Sequence, residues 1–141
     1  MPELHSQKLF ENEGIRFIEA NLETDKIEGK YDVCLLTDVL EHFNYNPLPV
    51  LKKLRKVSGG IIITTPSREL DYVMPETAKY ADLINWKMIP EKKKGYDFVD
   101  SHHHTYTKWE LKELLSEAGF KVVHTKLLPV ERTWVMVGIW S

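Results

Sequence analysis

A chain of 141 residues has the length of one domain, enough to bury about two thirds of its unfolded surface. With 43% apolar and 28% charged residues, and 19 basic against 21 acidic side chains for a net charge of −2, it lacks both the positive field of a nucleic-acid binder and the composition of a disordered chain. No apolar run approaches the ~18 residues of a membrane span and no signal-peptide core is present; the sole cysteine, Cys34, has no disulfide partner within the chain, which fits a reducing cytoplasm.

Residues 2–13 (PELHSQKLFENE) predict a short, weakly amphipathic helix ending near Gly14. Ile15–Ala20 (IRFIEA) alternates apolar and polar residues, the signal of a strand. A polar connection leads to YDVCLLTDVLEHF, Tyr31–Phe43. Its apolar run Val33–Leu36 is too short for a lone helix and reads as a fully buried parallel strand. Ligands of open α/β sheets sit beyond the carboxyl ends of such strands, so Asp38, Glu41 and His42 are placed over a crevice. In NYNPLPVLKKLRKVSGG, Asn46 serves as N-cap and Pro47 opens a helix. Val50, Leu51, Leu54 and Val57 form its apolar stripe, with Gly59 or Gly60 closing it. IIITTP is a second buried strand, stopped by Pro66.

Toward the C-terminus, Thr107 and Glu110 form a capping box. Leu111, Leu114, Leu115 and Ala118 follow on one helical stripe, and Gly119 supplies a left-handed stop. KVVHTKLL and TWVMVGIW read as strands joined by Pro129–Arg132, a link short enough to require an antiparallel hairpin. The fold class is therefore α/β: a mostly parallel sheet ending in an antiparallel hairpin, with helices on both faces. Residues 1–141 make a single domain, and 67–106 form an insertion or cover segment.

These residues resemble class I S-adenosylmethionine-dependent methyltransferases of the small-molecule type. The resemblance is carried by RFIEANLE, YDVCLLTDVLEHF, the helix before GGIIITTP, and HHHTYTKWELKELLSEAGFKVV, in the order and spacing of that family's second half. It implies a truncated Rossmann-like methyltransferase sheet with S-adenosylmethionine as cofactor and a small molecule as methyl acceptor. Asn21 and Leu22 match the place where the family contacts adenine. Asp38 and Val39, ending its fourth strand, match the edge of the methionine pocket. His42 matches a catalytic position near the methyl group or the acceptor. The family's glycine-rich G-x-G loop and the acidic residue that holds the ribose have no counterpart, since none of the seven glycines forms a G-x-G. The lone chain is accordingly expected to bind the cofactor weakly or not at all and to show little activity. The alternative is a non-catalytic remnant of the fold, serving as an interaction or ligand-binding module.

In that family's sheet the first strand lies beside the fourth. Without it the apolar edge of the fourth strand is an open pairing template. We expect Ile15–Ala20 to move beside it, and a homodimer or a partner chain to cover what is left.

The run His102–His104 invites a metal reading. Consecutive side chains of an extended segment point to alternate sides, so the three histidines do not converge on one ion and no metal is assigned to them. His104 and Tyr106, before the capped helix, are placed on the acceptor side together with Trp86. For these aromatics a satellite core over the sheet is the competing reading. The basic cluster EKKKG with Lys87 reads as a solvated loop.

Overall fold

The computed structural model describes residues 13–70, 80, 85–91 and 102–140. The helix expected over residues 2–13, the aromatics Tyr72, Tyr96 and Phe98, and Lys92–Gly95 lie essentially outside them. Tyr31–Thr37 forms β1, Leu48–Val57 α1, Ser58–Pro66 β2, Lys108–Ala118 α2, Phe120–Leu128 β3 and Thr133–Trp140 β4. Short 3-10 turns occur at Leu40–His42 and Trp86–Met88. β1 pairs parallel with β2, and β4 pairs antiparallel with β2 and β3, so the strand order is β1-β2-β4-β3. The α/β class holds. The sheet is mixed, because only β1 and β2 are joined by a helical crossover.

The core lies between the sheet and the two helices. Leu51 and Leu54 of α1 and Leu111, Leu114 and Leu115 of α2 are buried against Leu36, Ile61, Ile63, Phe120 and Met136 of the sheet. Each such side chain contributes roughly 1.5–3 kcal/mol when fully buried. Since α1 and α2 also pack on one another, both described helices cover the same face. A helical layer on the opposite face is not found among the described residues.

This one-sided cover changes the reading of β1. Two-sided burial needs a layer on each face, and here only Leu36 of β1 is buried, while Val33 is 51% and Leu35 63% exposed. Ile15–Ala20 also departs from expectation. It forms no strand beside β1, and Ile15, Phe17 and Ile18 are exposed. Alternation provides one apolar face, but only a hydrogen-bonded ladder makes a strand, and the segment instead runs irregularly into a turn at Asn21–Asp25. Among the described residues β1 is thus hydrogen-bonded on one side only.

The local signals fare better. Asn46 Oδ1 accepts from Leu48 N at 3.0 Å, holding the entry to α1, although Pro47 occupies the cap position. Gly59 and Gly60 lie inside β2 rather than closing α1, since Ser58 turns directly into the strand. Gly138 marks a close approach within the sheet: a Cβ there would sit 3.0 Å from Phe120 Cβ and 3.1 Å from Ile61 Cγ2. The capping box of α2 is complete, with Thr107 Oγ1 accepting from Glu110 N at 3.1 Å and Glu110 Oε2 accepting from Thr107 N at 3.0 Å. Gly119 adopts φ 100° as its left-handed stop. Thr107→Ala removes one of these bonds and is expected to cost about 1 kcal/mol, read as a lower midpoint of urea unfolding with an unchanged slope.

Candidate functional site

The site is built where β1 stops. Asp38 follows the last strand residue with φ 54°, a left-handed conformation that aspartate tolerates better than most residues. The turn is fixed by β2. Asp38 N–H donates to Thr64 O at 2.9 Å and to Thr64 Oγ1 at 3.1 Å, and the Thr64 hydroxyl donates to Asp38 Oδ1 at 3.2 Å. Such strain is retained where neighbouring structure over-determines it, often at binding sites.

The chain then enters the turn Leu40–His42, which turns Glu41 inward and leaves His42 partly exposed. Glu41 Oε2 accepts from Thr65 Oγ1 at 3.0 Å, and its backbone carbonyl accepts from His103 N at 2.8 Å. Burial pushes the Glu41 carboxyl above its ordinary range, only partly opposed by these hydrogen bonds.

A second wall comes from the turn that begins at Asn21. Asn21 Oδ1 accepts from Glu23 N at 2.9 Å, and Asn21 O accepts from Asp25 N at 2.8 Å. Glu23 reaches across the crevice, its Oε1 accepting from Asn44 N and its Oε2 from Tyr45 N, both at 2.9 Å. Lys53 of α1 donates to the carbonyls of Leu22 and Asp25. Neither Glu23 nor Lys53 stands out in the sequence. They clamp the Asn21 turn against the exit of β1, and nothing in their local pattern shows it.

Between these walls lies a cavity of about 450 Å³ lined by Asn21, Leu22, Asp38, Val39 and His42. The structure thus brings together the residues singled out for cofactor contact and the candidate catalytic histidine. It does not bring Trp86, His104 and Tyr106 to this cavity. Trp86 and Tyr106 are in the core, 2% and 1% exposed. His104 is buried too, with Nε2 lying 2.6 Å from Arg68 Nη2 and 3.2 Å from Glu110 Oε1. All three lie in the packed interior away from this cavity, Trp86 and Tyr106 as the competing core reading places them. Burial also pushes the Tyr106 phenol far above its ordinary range, which removes it as a proton carrier near neutrality. Of the cluster around EKKKG, Lys87 is paired with Glu113 and Glu117 of α2.

A crevice beyond the carboxyl end of a parallel strand, walled by loop backbone and a carboxylate, lies where open α/β sheets carry their ligands. Comparison with known proteins specifies it further. A family model described as "Methyltransferase domain" matches residues 3–125. The chain belongs to this methyltransferase family. No curated protein is significantly similar.

Among solved structures, the pyocyanin biosynthetic protein PhzM superposes with a TM-score of 0.62 at 16% identity, over 96% of this chain and 38% of that one. Magnesium protoporphyrin IX methyltransferase (ChlM) from Synechocystis PCC 6803 with bound SAH gives 0.60 at 17% identity, over 96% and 57%. Human N-acetylserotonin methyltransferase in complex with SAM gives 0.57 at 19% identity, over 92% and 34%. Identities this low carry the fold alone, and the chain spans well under two thirds of each of these structures. No helix among the described residues is long and apolar enough to cross a membrane.

Proposed function

We propose that this chain forms one wall of an S-adenosylmethionine-dependent methyltransferase site that acts on a small molecule. The observation that carries the reading is the cavity of about 450 Å³ that collects Asn21, Leu22, Asp38, Val39 and His42 beyond β1. In this reading Asn21 and Leu22 face the adenine, and Asp38 and Val39 border the methionine portion. His42 stands on the acceptor side, where it aligns the acceptor or takes its one proton. Transfer from a sulfonium requires mainly alignment, so the residues act chiefly by position.

A second reading, a binding module without turnover, is favoured by the absence of any G-x-G among the seven glycines. Without such a loop, several charge-assisted hydrogen bonds to the cofactor are missing. Both readings share one prediction. SAH titrated into the isolated chain should bind with a dissociation constant weaker than roughly 100 μM, and amide NMR shifts should be confined to Asn21, Leu22, Asp38 and Val39. Shifts centred elsewhere, or none at millimolar SAH, would remove the cofactor assignment. Methyl release from labelled S-adenosylmethionine to a small hydroxyl or amine acceptor then separates enzyme from module.

For the isolated chain we further propose that the open edge of β1 is covered by a second copy. Its acceptable register is set by charge: antiparallel pairing about a two-fold axis at Cys34 places Lys30 of each copy at the Asp38 end of the other. It also sets Val33 opposite Leu35.

A further inference from the structure

A second cavity, of about 300 Å³, lies beside the first and shares Asp38 and His42 with it. Its walls include Glu41, His102 and Glu131, and among the described residues they contain no lysine or arginine. We propose that Glu41, His42 and His102 form a binding site for a divalent transition-metal cation of the zinc type. One ligand atom from each of the three lies within 4.8 Å of the others.

The convergence depends on two separate elements. The turn Leu40–His42 brings Glu41 and His42 together, with Glu41 Oε1 3.8 Å from His42 Nε2. His102 comes from the segment before α2. That segment is fixed in place by the bond from His103 N to Glu41 O at 2.8 Å, and by Arg68 N donating to Tyr106 O at 3.0 Å. The rings of His42 and His102 meet edge to face with centroids 4.8 Å apart. Only one histidine of the run takes part, for two separate reasons: alternation turns His103 away from His102, and His104 is buried and committed to Arg68 and Glu110.

The donor set has a chemical preference. Two imidazoles and a carboxylate suit zinc and its neighbours rather than magnesium or calcium, which favour all-oxygen shells. Metal–ligand bonds of about 2.0–2.2 Å place neighbouring ligand atoms about 3.3–3.5 Å apart, so the triad closes by roughly 1 Å through side-chain rotation. Thr65 already orients the Glu41 carboxylate through its other oxygen, the kind of outer contact that fixes a ligand. Asp38 and Glu131 add negative charge at the rim, which draws cations inward. With three protein ligands, the remaining coordination positions face the cavity, the arrangement of an open rather than a structural site.

The test needs no methyl donor, so its failure is separable from failure of the methyltransferase reading. Cobalt(II) chloride is titrated into the full chain, free of any histidine tag, and its visible d–d absorption recorded; zinc chloride is then added to displace it. The expected result is saturation at one equivalent with the absorption of a low-coordinate ion. His102→Ala should weaken binding by at least about tenfold, the loss that second-shell changes alone produce. His124→Ala, at an exposed position of β3, should leave binding unchanged. His102 is not among the buried residues, so its replacement should leave the far-ultraviolet circular dichroism intact; His42→Gln provides a second variant read in the same way. Absence of a band, a band indifferent to both His102→Ala and His42→Gln, or one lost equally in His124→Ala would overturn the proposal.

Discussion

Glu110→Ala is expected to lower folding stability by about 3–5 kcal/mol, the usual cost of removing one member of a buried ion pair. The Glu110 carboxylate is 4% exposed and lies 3.0 Å from Arg68 Nη1. Its other oxygen lies 3.4 Å from Arg68 Nη2 and 3.2 Å from His104 Nε2. Arg68 is only about a quarter exposed, so water recovers little of the lost attraction. The guanidinium would keep Thr105 O at 2.6 Å and the His104 ring, but its charge would be left without a counter-ion. Since Glu110 also completes the capping box, Thr107→Ala isolates that smaller share of about 1 kcal/mol.

Urea unfolding of Glu110→Ala, of Arg68→Met and Glu110→Met singly, and of Arg68→Met/Glu110→Met makes the distinction. A buried pair is worth little against apolar replacements of similar volume, yet costly to halve. The double variant should therefore be more stable than Glu110→Ala, with a coupling energy well above the roughly 0.5 kcal/mol limit of additive sites. A loss in Glu110→Ala no larger than in Thr107→Ala would show the pair to be without weight. The consequence reaches the site, because Arg68 binds the backbone of Tyr106 and Thr105 and so holds the segment that presents His102.

What could be read beforehand follows from the range of the forces involved. The capping box Thr107–Glu110, the stop at Gly119 and the hairpin link Pro129–Arg132 are set by residues a few positions apart, and each stands where its pattern placed it. The position of Asp38 and His42 was legible too, because a β-branched and apolar run that ends in polar groups marks the mouth of a parallel sheet. Other features depend on partners far along the chain. Lys53 joins carbonyls 31 and 28 positions away, and Arg68 meets His104 at a separation of 36. Such pairings turned His104 and Tyr106 into packing and ion-pair residues. Ile15–Ala20 fails for a related reason, since its alternation states a preference for an apolar face and names no partner strand. The histidine run shows both sides: alternation separates His102 from His103, but only the fold commits His104 to Arg68 and Glu110 and sets His42 and Glu41 opposite His102.

The second large effect concerns association of the chain. Among the described residues β1 is paired along one edge only, and Val33, Leu35 and Tyr31 are exposed on the sheet face away from the helices. By register, Ile62 and Val137 extend that face through Leu35↔Ile62 and Ile62↔Val137. An edge of this kind recruits another strand. If the strand belongs to a second copy in the register centred on Cys34, the two Cys34 residues face each other at about 4.5–5.5 Å between Cα atoms, within reach of a disulfide. Light scattering should then give twice the 16.5 kDa chain mass, and mild oxidation should trap that species through its only cysteine. Burial holds the Cys34 thiol above its usual range, so the reaction should be slow without a catalyst. Val33→Lys/Leu35→Lys should abolish both signals. The unfolding midpoint should rise with protein concentration for the wild type but not for this variant, whose fold should persist because these side chains are half exposed or more in the single chain. A wild-type chain that stays monomeric and forms no crosslink would exclude this pairing. The outcome bears directly on function. A second copy brings no G-x-G, so a dimer sealed along β1 occupies the place of the strand that would complete the cofactor site in the family, and the associated form should bind SAH no better than the Val33→Lys/Leu35→Lys monomer.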